Sequence, residues 1–318
     1  MKKLLTALAL SLSIVGTATA DDKVKIGFSN RTLNGAFFNG LTEYMKIHSK
    51  DAGYKLITTD ARADLNKQLA DVEDMLSQGI DYLVFNPQDP IAGIKIAEMA
   101  ARANVPSIAL DSDIALTAPV ITRIQANNAA NNLMVGEYAV EQFGKEPINL
   151  VLISGNQGNL VGEARRNNFM VGVLNTQIRQ YNQSNLNVIT QVWGNWDQQG
   201  GLKAMEDALV AHGDKINAVY SEMDDMALGA IRALKATGKL QNIKVYAHDG
   251  YKFGLDSIKK GELQATASNN PNSLTKLTID TIKEHKAGKR DFPDYIYIKP
   301  LLITKDNVES VYDPESLY

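Results

Sequence analysis

Short apolar runs alternate with longer segments of helical periodicity along almost the whole chain, and few folds accept that pattern. Runs at 24–28, 55–58, 82–85, 107–110 and 120–124 read as strands. A second series lies at 149–153, 188–192, 218–220, 243–247 and 264–267. Segments 37–52, 65–78, 91–103, 133–143, 160–175, 202–211, 226–237 and 274–285 between and after them repeat apolar residues at helical spacing. Strand–helix alternation at this spacing predicts an α/β protein whose parallel sheets are covered on both faces. The cycle runs for about five strands, breaks near 125–128 and begins again, which predicts two similar Rossmann-like lobes. The segment after Asn217 shows the unit most clearly. Ala218, Val219 and Tyr220 run into Glu222, Asp224 and Asp225, where Asp224 or Asp225 is placed to accept hydrogen bonds from the first turn of the next helix.

Open parallel sheets bind ligands at the carboxyl ends of their strands. Here those ends lead into loops rich in Asn, Asp, Arg and aromatic residues, at 30–38, 86–90, 111–114, 155–166, 194–197, 222–225, 249–251 and 269–272. Two lobes that face each other across these loops enclose a cleft.

The amino-terminal residues read as an export signal. Lys2 and Lys3 precede an apolar run at 4–15, and Ala18-Thr19-Ala20 supplies a small-residue cleavage pattern before Asp21 and Asp22. The run is shorter than the roughly 20 apolar residues that span a bilayer. Cleavage after Ala20 leaves 298 of the 318 residues, long for a single core, and removing two lysines takes the net charge from −3 to −5. The expected location is the periplasm. An acidic chain without a Lys/Arg cluster argues against nucleic acid. The chain has no Cys, which excludes disulfides, thiolate catalysis, cysteine metal sites and a lipid on cysteine.

Other signals are weak. Gly155, Gly158 and Gly162 follow a strand but lack both the P-loop Lys-Ser/Thr and dinucleotide-binding spacing, so no cofactor is expected. Residues 60–66 lack the central Gly and terminal Glu of a calcium loop, and Asp64 fits better as the N-cap of the helix at 65–78. His48, His212, His248 and His285 show no paired metal-ligand spacing. His248 is placed beside the cleft and the other three on the surface, with Trp193 structural.

Six stretches, in order, carry a resemblance: 32–41 (TLNGAFFNGL), 85–90 (FNPQDP), 105–113 (VPSIALDSD), 163–169 (EARRNNF), 222–234 (EMDDMALGAIRAL) and 248–250 (HDG). The chain resembles periplasmic sugar-binding proteins of the ribose-, galactose- and xylose-binding class, related to the ligand domains of LacI-type repressors. The resemblance implies the type I periplasmic binding protein architecture, with three segments crossing between the lobes. The expected boundaries are 21–125 with 270–296 for the first lobe and 126–269 with 297–318 for the second. It implies a monomer that closes on a monosaccharide or polyol and delivers it to the permease and ATPase subunits of an ABC importer, with a chemoreceptor as a further partner.

The same resemblance assigns roles. Phe37 and Phe38 match paired aromatics of which one stacks on a sugar ring, and Trp196 matches an aromatic on the opposite lobe; sugars present apolar C–H faces to such rings. Asp111 and Asp249 match carboxylates that accept from sugar hydroxyls, and Arg165 an arginine that donates to the ligand. Asn86 and Asn269 match polar residues of the third-strand loop and a crossing segment. The chain departs from the pattern at Ser112, where relatives carry Arg, at Met223, where they carry Asn, and at Gly35, where Asn is common. Arg31 is placed to supply the missing guanidinium, so a ligand other than ribose or galactose is expected. Two rival readings differ in class. One is a binding protein for a non-sugar signal read by a chemoreceptor or sensor; the other is an exported glycosidase using Asp111 and Asp249.

Overall fold

The computed structural model describes residues 23–318 of the chain. The expected export signal and its cleavage point after Ala20 lie outside the described residues. The first lobe begins with β1 (Lys25–Asn30), α1 (Ala36–Asp51), β2 (Lys55–Asp60) and α2 (Leu65–Ser77). It continues with β3 (Tyr82–Phe85), α3 (Pro90–Arg102), β4 (Ser107–Leu110) and β5 (Thr122–Ala126). The chain then builds a second unit from α4 (Asn128–Phe143), β6 (Ile148–Ser154), α5 (Leu160–Tyr181), β7 (Leu186–Trp193) and α6 (Gln198–His212). That unit goes on through β8 (Ala218–Ser221), α7 (Asp224–Ala236), β9 (Lys244–Tyr246), α8 (Lys252–Lys259) and β10 (Ala265–Ala267). Next, α9 (Pro271–Lys286) and β11 (Tyr295–Ile298) return to the first lobe, and β12 (Leu302–Thr304) and α10 (Val308–Val311) to the second.

The strand order is β2-β1-β3-β4-β5-β11 in one sheet and β7-β6-β8-β9-β10-β12 in the other. All neighbours are parallel except β12, which runs antiparallel to β10. Each order reverses once, between β1 and β3 and between β6 and β8, and such switch points are where loops part and ligands enter. The two-lobe parallel α/β architecture is the one the alternation predicts.

Local chemistry sets the element ends. Asp64 accepts from Lys67 N at 3.0 Å and caps α2, as its spacing predicts; such a cap contributes about 1 kcal/mol. Asp89 caps α3, with Pro90 in the first turn where no N–H is needed. On α1, Phe37, Leu41 and Met45 recur every four residues and bury one stripe against Ile26 and Phe28 of β1. Full burial of each is worth about 1.5–3 kcal/mol. This fixes α1 and thereby the loop at its amino end.

Three expectations need correction. Strands β11 and β12 lie beyond the last run read as a strand; the signal for β11 is the β-branched and aromatic YIYI. Tyr297 and Ile298 pair with Gln125 and Ala126 of β5, so the first sheet takes in residue 126 and residues 297–298, which the expected boundaries gave to the second lobe. Asp224 and Asp225 make no cap for α7, whose N-cap is Met223. Asp224 is fully buried and instead accepts from Tyr251 N and Thr266 Oγ1, both at 2.7 Å. It thus ties the loop after β9 to β10.

Candidate functional site

Between the facing strand ends lies a cavity of about 210 Å³. Arg31, Phe37, Phe38, Asp111 and Ser112 line it from the first lobe. Arg165, Trp196, Met223 and Asp249 line it from the second, and Asn269 from the crossing segment between β10 and α9. The amino ends of α1, α5, α6 and α7 all border it through Phe37, Val161, Asp197 and Met223. Their unpaired N–H groups give the space a positive bias that favours nearby carboxylates.

The two carboxylates are held in one hydrogen-bonded chain. Asn269 Nδ2 donates to Asp111 Oδ1 at 3.3 Å and to Asp249 Oδ1 at 3.4 Å, so one amide bridges the lobes. Arg165 Nη1 pairs with Asp249 Oδ1 at 3.0 Å. The guanidinium is fixed from behind by Glu222 O at 2.8 Å and Asn128 Oδ1 at 3.0 Å. Burial pushes the Asp249 carboxyl up to about 7, against the pull of Arg165 and with the help of the nearby Asp111 charge. Burial also raises Asp111, while Arg165 pulls it down. Both groups hold a negative charge reluctantly in the dry cleft, and hydroxyl donors aimed at them relieve that cost. Asn269 Oδ1 and Arg31 Nε are buried without a protein partner, which leaves an acceptor and a donor on the cavity wall.

The aromatic residues divide their work. Phe37 is buried in the first-lobe core and meets Phe38 edge to face at 5.4 Å. Phe38 is half-buried, with the Arg31 guanidinium 5.5 Å from its ring centroid. Across the cleft, the indole of Trp196 rests on Gly155, where a Cβ would fall 1.9 Å from Cε2. The Arg165 guanidinium lies 6.0 Å from the same ring, within cation–π reach.

Backbone conformation marks the same place. Eight non-glycine residues among those described have positive φ, and Ala63, Asp111, Asn195, Trp196 and Asp249 of these line the cavity. A bulky residue such as Trp196 at φ 62° is a costly conformation, of order 1–3 kcal/mol. Strain concentrated where four loops meet is characteristic of sites whose side chains must point in set directions.

Nine of the ten residues expected at the site line the cavity; Asn86 does not. It stands behind the wall, fully buried, and its Nδ2 donates to Asp111 Oδ2 at 3.2 Å, Ser112 Oγ at 3.2 Å and Leu110 O at 2.9 Å. Its position is that of a support for Asp111. His248 also fails to border the cavity. It is fully buried and paired with Asn132, because its side chain alternates with that of Asp249 to the other face of the strand end. Of the histidines expected on the surface, His285 is partly covered and meets Tyr82 Oη at 2.9 Å. Trp193 is exposed on β7 and contributes little to a core. Arg166 turns away to Glu222 at 3.0 Å, and Glu222 Oε2 accepts from Gly155 N at 2.8 Å. Sequence reasoning assigned no role to Gly155, Asn156, Asn159 or Ala63. The first three sit in the glycine-rich turn after β6, within the loop at 155–166 that the sequence places at the cleft without singling out these residues.

Comparison with known proteins bears on the family and the fold. A family model described as "Periplasmic binding protein domain" matches residues 26–290. The ribose import binding protein RbsB of Escherichia coli (strain K12) is 30% identical over 293 residues, covering 91% of this chain and 94% of the relative. The protein of the same name from Bacillus subtilis (strain 168) is 32% identical over 265 residues, or 83% and 82% of the two chains. Among solved structures, an ABC transporter solute binding protein from Mycobacterium smegmatis with bound glycerol superposes with a TM-score of 0.82. It shares 28% sequence identity over 92% of this chain and 98% of that one.

Proposed function

The chain belongs to the periplasmic binding protein domain family, and on that premise we propose that it captures a monosaccharide or polyol between its lobes and presents it to the permease and ATPase subunits of an ABC importer. Its relatives are solute-binding transport proteins rather than enzymes. The observation that carries the reading is the pairing of aromatic walls with two buried carboxylates in one small cavity. At about 210 Å³ the space falls below the roughly 300–1,000 Å³ of sites for drug-sized ligands, which suits a single sugar ring or a short polyol. A ring or chain of hydroxyls offers donors to Asp111 and Asp249, acceptors to Arg165 and Arg31, and apolar C–H faces to Phe38 and Trp196. Groups from both lobes contribute, so ligand stabilises the closed arrangement over any open one.

Location in the periplasm follows from the family, and the export signal is read as cleaved after Ala20; intact mass of the exported protein tests that point. A thermal-shift screen against pentoses, hexoses, polyols and neutral amino acids tests the ligand class. A concentration-dependent rise in melting temperature for one sugar or polyol, with no product formed, supports it. A rise only with amino acids, or with none of these compounds, refutes it.

A further inference from the structure

After α10, whose Val308 packs in the second-lobe core, the chain crosses back. Residues 313–318 lie along the first lobe, where Leu317 N donates to Tyr44 Oη at 3.1 Å and Ser316 Oγ meets the same hydroxyl at 3.4 Å. Lys252 of the second lobe reaches the same segment, donating to Pro314 O. Tyr318 is only 5% exposed and belongs to the first-lobe core with Phe37 and Leu41. Its ring meets Phe37 edge to face, centroids 5.6 Å apart at 74°, and Tyr251 at 5.1 Å and 37°. These two neighbours stand on opposite sides of the cleft. Phe37 is cavity wall of the first lobe. Tyr251 follows Asp249 by two residues, and its N–H is fixed by Asp224 in the second lobe. The Tyr318 hydroxyl has no protein partner, so the ring makes the contact.

We propose that segment 313–318 is a fourth tie between the lobes, and that Tyr318 is a positioning residue which holds the Phe37 wall against the Asp249 loop and restrains opening of the unliganded cleft. Three crossing segments give a hinge its axis but leave the opening angle free. A buried ring shared by both lobes limits the angle, because opening separates aromatic faces and wets them. The inference rests on the two-lobe geometry and not on what the cleft binds.

The chain has no Cys, so two label sites are introduced without background. Lys95→Cys on α3 and Lys203→Cys on α6 are exposed, one on each lobe. Spin-labelled protein without sugar gives the interlobe distance distribution by pulsed dipolar spectroscopy. Tyr318→Ala is expected to move the distribution to longer and broader distances, and Tyr318→Phe to leave it in place. Tyr251→Ala removes the other partner and is expected to reproduce the shift, which keeps the test open if Tyr318→Ala folds poorly. Ile282→Ala, a fully buried first-lobe core change on α9, is expected to lower the melting temperature without a shift. Superimposable distributions for Tyr318→Ala and Tyr251→Ala and the parent overturn the proposal, as does an equal shift in Ile282→Ala or Tyr318→Phe.

Discussion

A single methyl group at position 155 probes the aromatic wall of the cleft. A Cβ on Gly155 falls 1.9 Å from Cε2 of Trp196, 2.2 Å from Cζ2 and 2.3 Å from Cδ2. Carbon atoms in contact rest about 3.5–4.0 Å apart, so the indole or the turn must give by about 1.5–2 Å. The turn is pinned by the hydrogen bond from Gly155 N to Glu222 Oε2, and the ring faces the cavity on its free side. The ring is therefore expected to move into ligand space. Overpacking of this kind costs about 1–3 kcal/mol. Because Trp196 is only half-buried, most of that cost is expected in binding rather than in folding. The corresponding loss in Kd is about 5- to 150-fold. The unfolded chain loses freedom with Ala in place of Gly, which offsets about 0.4–1 kcal/mol and keeps Tm near the parent value. Titration calorimetry with the tightest compound of the thermal-shift screen measures the first effect, and thermal melts the second. Adding Trp196→Phe to Gly155→Ala shortens the ring and should regain part of the loss. A Gly155→Ala variant that binds like the parent would refute the assignment of this indole to the binding surface.

Other consequences follow from the same geometry. Asp111→Ala or Asp249→Ala strands the buried donors that each carboxylate serves, with an expected cost of about 2–5 kcal/mol, or about 30-fold or more in Kd, and little change in fold; near-normal calorimetric affinity in both would remove them from the site. Arg31→Ala should lose affinity much as Arg165→Ala does, and neither ribose nor galactose should head a competition series; the reverse of either result defeats the idea that Arg31 replaces a guanidinium. Hydroxyl donors favour the charged form of Asp249, which titrates at about 7 in the free cleft, so binding releases a proton and affinity falls as pH drops through 7. In the free protein the raised group contributes stability at low pH that is lost as pH rises through 7, so Tm and affinity respond in opposite directions; an affinity flat across this window contradicts the coupling. Small-angle scattering should show a smaller radius of gyration with saturating sugar, and identical curves at proven saturation would argue for a fixed cleft.

Much of the site was legible in the sequence because strand ends and the loops after them are local features. Asp111, Asp249 and Trp196 lie in loops after strands and Arg165 in the second turn of α5, and a parallel sheet places such ends on one edge; the resemblance then assigned the roles of these four. What failed had a common cause. Asn86 and His248 stand at strand ends, where a turn of one residue decides whether a side chain faces the cavity or the core. Asp224 looked like a cap, but Tyr251 N and Thr266 Oγ1, distant in sequence, are the donors it meets.

Taken by itself, the sequence determined the class of fold, the two lobes and the edge that carries the site, since periodicity and spacing follow from the residues of each segment alone. The tertiary structure decided which side chains share one cavity, where Asp249 titrates, why position 155 is glycine and that Tyr318 touches both lobes. Each of these depends on burial and distance between groups far apart in the chain. Desolvation, charge coupling and contact exist only once packing has brought such groups together.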